Sequence, residues 1–282
     1  RRFPIDDFLR EMEQLIERGC RQFKFVDRTF NVHPGHSAAV LRFFLERLSP
    51  GMFVHFEIIP DHLPDSVFEL LAQFPPGTLQ LEVGVQTFNE EVAKRIGRKQ
   101  RNDRVEATLQ KLRTQTCAHI HADLIAGLPG ESLESFAAGF DRLLRLRPHE
   151  IQLGILKRLR GAPIARHTQA FEMIYSPDAP YELLRNNLLD FATMQHLKRV
   201  ARYWDLYYNS GNFERTIPLL LAGDSAFERF SGFARFIYER TGKTHAISLQ
   251  RQFLLAYEWL GRSEEAGKLL ADDYARPGRR DL

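Results

Sequence analysis

Leu79-Gln-Leu-Glu-Val-Gly-Val-Gln-Thr-Phe-Asn-Glu-Glu-Val-Ala-Lys-Arg-Ile-Gly-Arg98 changes its period partway along. From Leu79 to Gln86 the odd positions are apolar, while Gln80, Glu82, Gly84 and Gln86 share the other face of a strand. From Asn89 the pattern turns helical, so the stretch reads as a strand feeding a helix, half of a βαβ unit. Its two neighbouring strands read alike. In Phe53 to Ile58, Val54, Phe56 and Ile58 lie opposite His55 and Glu57; from His119, the residues His119, His121 and Asp123 lie opposite Ile120, Ala122 and Leu124. A doubly wound sheet, covered by helices on both faces, would read more uniformly apolar, and no Gly-rich turn has the dinucleotide-binding spacing. A parallel barrel with a polar, functional lumen fits better.

Outward from these strands the same rhythm continues. A helix is predicted over Ile5 to Arg18, stopped by Gly19, with Leu9, Met12, Leu15 and Ile16 on its apolar face. Strand Gln22 to Val26 follows, then a helix from His36 to Leu48 with Ser37 as candidate N-cap, and a helix from Asp65 to Gln73. Helical sequence spans Asn89 to Thr114, and helix Leu133 to Leu146 with strand Ile151 to Ile155 completes the series. Five strands are expected in one parallel sheet. Beyond the linker Ser176-Pro-Asp-Ala-Pro180 the strand rhythm ends, and helices are predicted over Tyr181 to Leu197, Phe227 to Arg240 and Leu249 to Leu260. The expected organisation is an incomplete β/α barrel over 1–175 and a small all-α domain over 176–282.

Composition narrows the function classes. With 44% hydrophobic and 27% charged residues over 282 positions, the chain reads as an ordinary globular protein. A net charge of +3, with arginines spread among carboxylates, argues against a nucleic-acid partner. No apolar run reaches the roughly 18–20 residues of a membrane span, and Arg1-Arg2-Phe3-Pro4 does not read as a signal peptide. Two cysteines, Cys20 and Cys117, form neither a disulfide framework nor a metal-binding set. A cytoplasmic location is the expectation.

Glu57-Ile-Ile-Pro60, the Gly84 to Arg98 stretch and Asp123-Leu-Ile-Ala-Gly-Leu-Pro-Gly130 all begin at or near strand ends, where barrel enzymes place functional groups. In order and spacing they resemble radical S-adenosylmethionine (SAM) enzymes. The similarity is to oxygen-independent coproporphyrinogen oxidases and to the cobalamin-associated group that includes anaerobic Mg-protoporphyrin monomethyl ester cyclases. The resemblance implies that Glu57 and Gln86 bind the SAM ribose region, that Arg98 meets the methionyl carboxylate, and that Asp123 borders the same ligand. Those residue types suit a zwitterionic nucleoside, since a planar guanidinium pairs with a carboxylate and the acceptors take hydroxyls and ammonium. At the end of the first strand, Asp27-Arg-Thr29 stands where most relatives have a Gly-Gly-Glu-like motif; this departure is similar to the cobalamin group and places Asp27 and Thr29 at the SAM ammonium, with Asn31 nearby. The alternative for that segment is a turn closed by its own side chains.

Further implications come from the family. The resemblance implies a [4Fe–4S] cluster held by a CxxxCxxC triad, which neither Cys20 nor Cys117 belongs to. The chain is expected to be a fragment that lacks the first barrel strand and the cluster loop, and to be inactive alone. The parent would cleave SAM reductively to begin an oxidoreductase, cyclase or methyltransferase reaction on a small molecule, with a flavodoxin- or ferredoxin-type reductant and a cobalamin domain outside this chain. Two rivals stand beside it: a non-catalytic scaffold with the same barrel, and a metal-dependent hydrolase using His119 and His121. The tail resembles a helical domain found after some cobalamin-type barrels, and its aromatics read as core. No catalytic acid, base or nucleophile is assigned, and no metal ligand.

Overall fold

The computed structural model describes residues 4–27 and 29–276. Its first part alternates helices and strands: α1 (Ile5–Glu17), β1 (Gln22–Lys24), α2 (Pro34–Glu46), β2 (Phe53–Ile58), α3 (Asp65–Leu71), β3 (Leu79–Gln86), α4 (Glu90–Arg95), α5 (Asn102–Gln115), β4 (His119–Ala126), α6 (Leu133–Arg145) and β5 (Glu150–Ile155). The strands form one five-stranded sheet in sequence order, β1-β2-β3-β4-β5. Pairing is parallel where its register is defined, with Lys24 beside His55, His55 beside Gln80, and Glu57 beside Glu82. This is the expected α/β fold with a parallel sheet, followed by a helical region.

The alternation that predicted the strands is the burial pattern itself. Along β3 and β4 every second residue is buried, beginning with Leu79 and Ile120. Val54, Phe56, Leu81, Val83, Ile120 and Ala122 are at most 1% exposed. On β1 and β2 the apolar face meets aromatics: Phe56 stacks on Phe30 at 4.0 Å and lies 4.5 Å from Phe25, and Phe23 is 5.0 Å from Phe44 of α2.

Helix α2 differs from expectation in two details. Helix α2 starts at Pro34, earlier than predicted, because proline fits the first helical turn, where its missing N–H has no partner to lose. Ser37 is therefore not the N-cap; its hydroxyl donates to the Phe30 and His33 carbonyls from inside the first turn. Gly19 ends α1 as predicted, with φ +92 and the Cys20 N–H returning to the Leu15 carbonyl at 2.9 Å.

The later part is β6 (Ile174–Tyr175), β7 (Leu183–Arg185), α7 (Phe191–Trp204), α8 (Ile217–Leu220), α9 (Ala226–Thr241), α10 (Leu249–Trp259) and α11 (Glu264–Ala275). The helix predicted from Tyr181 begins only at Phe191. Leu183–Arg185 instead pairs antiparallel with Ile174–Tyr175, and Asp190 caps α7 by accepting the Thr193 N–H at 2.8 Å. Helix α7 continues into a π-helical turn over Asp205–Asn209. Trp204 and Tyr203 are fully buried and Tyr207 is 1% exposed, so these aromatics are core. Trp204 meets Phe140 edge-on at 4.7 Å and Phe230 at 4.9 Å.

By its contacts the chain forms two compact units that do not follow chain order. One comprises 1–86, 99–123 and 144–151; the other comprises 87–98, 124–143 and 152–282. No helix among the described residues is long and apolar enough to cross a membrane.

Candidate functional site

In the first unit the polar face of the sheet carries Lys24 on β1, His55 and Glu57 on β2, Glu82 and Gln86 on β3, His121 and Asp123 on β4, and Glu150 on β5. Alternation alone puts them there, since each is an even step from the next on its own strand.

Asp123 is tied into the sheet. Its Oδ1 accepts the backbone N–H of Val85 at 2.9 Å, a donor that a regular ladder would give to a carbonyl. Val85 is buried, and Gln86 after it turns left-handed at φ 64. A non-glycine residue in that region is uncommon and directs the chain sharply off the strand. Glu57 is half-buried, with Glu82 as its register partner on β3.

Below these groups, toward the strand beginnings, two charged clusters fill the face. Glu82 Oε1 lies 3.0 Å from His55 Nε2 and 3.4 Å from Lys24 Nζ. The His55 contact lacks hydrogen-bond geometry, leaving that buried nitrogen without a hydrogen bond. Burial pushes the His55 pKa down, helped by Lys24 and His121 and opposed by Glu82. In the second cluster His119 Nε2 bonds Glu150 Oε1 at 2.7 Å, and His121 Nδ1 is 4.0 Å from Glu150 Oε2. The His119 hydrogen bond is the main cause holding the Glu150 carboxyl below its ordinary range. His119 also stacks on His149 at 4.8 Å. Among the described residues no group of three or more His, Cys, Asp or Glu side chains is placed to hold a metal ion.

Asp27 and Thr29 are exposed, and Asp27 Oδ1 accepts both the N–H and the hydroxyl of Thr29 at 3.0 Å. Those bonds are the self-closed turn; Arg28 between them lies outside the described residues. Asn31, expected near the SAM ammonium, is instead committed elsewhere. It is fully buried, donates to the Ile59 and His62 carbonyls at 2.8 and 2.6 Å, and accepts the Ile59 N–H at 2.8 Å. It therefore pins the loop after β2.

Arg98 belongs to the second unit, after α4, where its N–H returns to the Ala93 carbonyl at 2.8 Å. The same unit also holds a group the sequence reading missed. Glu131 is 2% exposed; its Oε1 accepts the Thr87 hydroxyl at 2.5 Å and its Oε2 has no partner. Burial raises its pKa to about 7 against the pull of the Thr87 and Ser135 hydroxyls. Asn89 caps α4 through the Val92 N–H and donates to Ser135. The signal was a carboxylate one residue past the quoted Asp123 to Gly130 stretch. Free Cys20 and Cys117 are half-buried and exposed respectively.

Residues 1–143, about half of the chain, match the Radical SAM superfamily, and residues 169–279 match a protein family of unknown function, DUF4080. The chain is 23% identical over 186 residues to tRNA-2-methylthio-N(6)-dimethylallyladenosine synthase of Thermotoga petrophila, covering 64% of this chain and 40% of that one. It is 34% identical over 158 residues to the heme chaperone HemW of Lactococcus lactis, covering 52% and 40%. The chain thus spans less than half the length of these relatives. In fold it resembles the radical SAM methyltransferase TsrM of Kitasatospora setae, with TM-score 0.52 and 17% identity over 66% of this chain and 37% of that one. It also resembles the cobalamin-dependent radical enzyme OxsB, with TM-score 0.51 and 12% identity over 96% and 51%.

Proposed function

The chain belongs to the radical SAM superfamily, and we propose that it is the SAM-holding part of a longer enzyme that cleaves S-adenosylmethionine reductively at a [4Fe–4S] cluster. The observation that carries this reading is the row Glu57, Gln86 and Asp123 on one polar face, toward the C-terminal ends of three successive strands. Carboxylate and amide oxygens there suit ribose hydroxyls and an ammonium group. The anchored carboxylate of Asp123 and the turned backbone at Gln86 hold their positions before a ligand arrives, which lowers the cost of binding. Arg98 is the proposed partner of the methionyl carboxylate, and Asp27 with Thr29 the proposed partners of its ammonium. When bound to a reduced cluster, SAM supplies a 5′-deoxyadenosyl radical. The residues of this chain bind and orient the nucleoside and keep water from it; its two cysteines do not form a cluster site, so the cluster ligands are proposed to lie outside these 282 residues.

The enzyme is further proposed to be of the cobalamin-associated, cyclase-like type, acting on a small molecule in the cytoplasm with a flavodoxin- or ferredoxin-type reductant. Support comes from the Asp27-Arg-Thr29 segment and from the fold likeness to TsrM and OxsB, whose structures are described with cobalamin. The 282 residues alone are proposed to be inactive. The test is anaerobic assay of the longer protein with SAM and dithionite. Release of 5′-deoxyadenosine, abolished by Glu57→Ala, is expected; a folded, cluster-loaded protein that releases none would sink the enzyme reading in favour of a scaffold.

A further inference from the structure

In the first unit a cavity of about 410 Å³ is lined by Gln110, Arg113, Thr114, Arg145, Leu146 and Arg147. It sits where α5 and α6 end. Because those helices lead into β4 and β5, this is the edge at which the strands begin, opposite the edge toward which Glu57 and Gln86 lie. The cavity is an open groove: three exposed guanidinium side chains share it, Leu146 is half-buried, and no carboxylate lines it.

Cations at helix C-termini have an ordinary explanation, the attraction of the last carbonyls. It accounts for Arg113, whose Nε donates to the Arg147 carbonyl at 2.8 Å. It also covers Arg145, the last residue of α6, but not Arg147, which lies beyond the helix end. The side chains of Arg145 and Arg147 make no hydrogen bond or ion pair with any described residue. Arg147 also adopts φ 54, a left-handed conformation that is uncommon for a residue with a side chain. The positive field reaches His149, whose pKa falls to about 4 through burial first and then the charge of Arg113.

We propose that this cavity binds a phosphate-bearing small molecule, with Arg145 and Arg147 gripping the phosphate and Arg113 at its margin. Guanidinium forks match phosphate oxygens in pairs, and three cations lining one groove attract an anion of two or more charges. The volume falls in the roughly 300–1,000 Å³ range of small-molecule sites, and Leu146 gives the remainder of an organic phosphate an apolar surface.

The test is calorimetric titration of the chain with inorganic phosphate, pyrophosphate and ADP at about 150 mM salt, where exposed charges more than ~8 Å apart are largely screened. Saturable one-to-one binding of at least one of these is expected. Arg145→Gln and Arg147→Gln should each weaken it about tenfold, the loss of one charge-assisted hydrogen bond, and Arg145→Lys should recover only part. Tighter binding of ADP than of pyrophosphate identifies an organic phosphate, and the reverse identifies inorganic diphosphate. No saturable binding, or binding unchanged in the double glutamine variant, overturns the proposal. So does binding of a single-stranded oligonucleotide through these arginines when none of the three small probes binds.

Discussion

The Asp123 carboxylate on β4 accepts the Val85 backbone N–H on β3 at 2.9 Å, so a side chain takes the place of a ladder carbonyl just before the chain turns left-handed at Gln86. This bond ties Asp123 to the residue before Gln86, so the two proposed ligand-facing positions are held at a fixed register. Asp123→Ala should cost about 1–3 kcal/mol, the penalty for an orphaned donor. Asp123→Asn keeps an acceptor oxygen and should cost less. Urea unfolding of both variants checks this, and equal losses would refute it.

Glu131 gives stability a dependence on pH near neutrality. Its folded pKa, about 7, lies above the ordinary 4.5, so the folded state holds its proton more tightly. The stabilisation is complete below pH 4.5 and is lost as pH rises through 7. The upper bound is about 3 kcal/mol at 1.36 kcal/mol per unit. Glu131→Gln, neutral at every pH, should flatten that limb and be the more stable protein at pH 8. Denaturation midpoints from pH 5 to 8 measure it.

His149 acts with the opposite sign. Its pKa is pushed down to about 4 from 6.5, and its Nδ1 accepts the Ile120 N–H at 2.9 Å. Stability present above pH 6.5 should fall as pH drops toward 4, because the buried ring, beside the Arg113 charge, resists the proton that the unfolded chain takes up. His149→Asn can present Oδ1 to the same N–H and should remove this acid limb. A thermal melt at pH 5 that is unchanged relative to pH 7 in the wild type would contradict it.

Asp273 is the corresponding anchor of the helical region. Fully buried on α11, it accepts the Arg215 and Thr216 N–H groups at 3.0 and 2.9 Å and the Thr216 hydroxyl at 2.7 Å. Asp273→Ala leaves buried donors without a partner and should cost about 3 kcal/mol or more. Asp273→Asn should cost less. Hydrogen exchange at Arg215 and Thr216 reports the loss directly.

The five strands, their parallel order and their polar face were legible in the sequence because period-2 alternation maps directly onto burial when one sheet face is covered by apolar packing. The placement of Glu57, Gln86 and Asp123 on that face followed from the same pattern; their role toward SAM is proposed from the family resemblance. The β6–β7 pair was not legible: Leu183–Arg185 lies in a stretch that also fits a helical period, and its partner strand has two residues. Only the tertiary structure decided which polar groups are occupied. Asn31 and the Asp27–Thr29 turn look alike in sequence. Yet Asn31 is buried and bound to Ile59 and His62, while the Asp27–Thr29 pair is exposed. The raised pKa of Glu131 and the unpaired guanidiniums of Arg145 and Arg147 likewise depend on which side chains meet, and on how much water remains around them. Local periodicity carries the sheet and its faces; desolvation and pairing are long-range, so they appear only when the chain is folded.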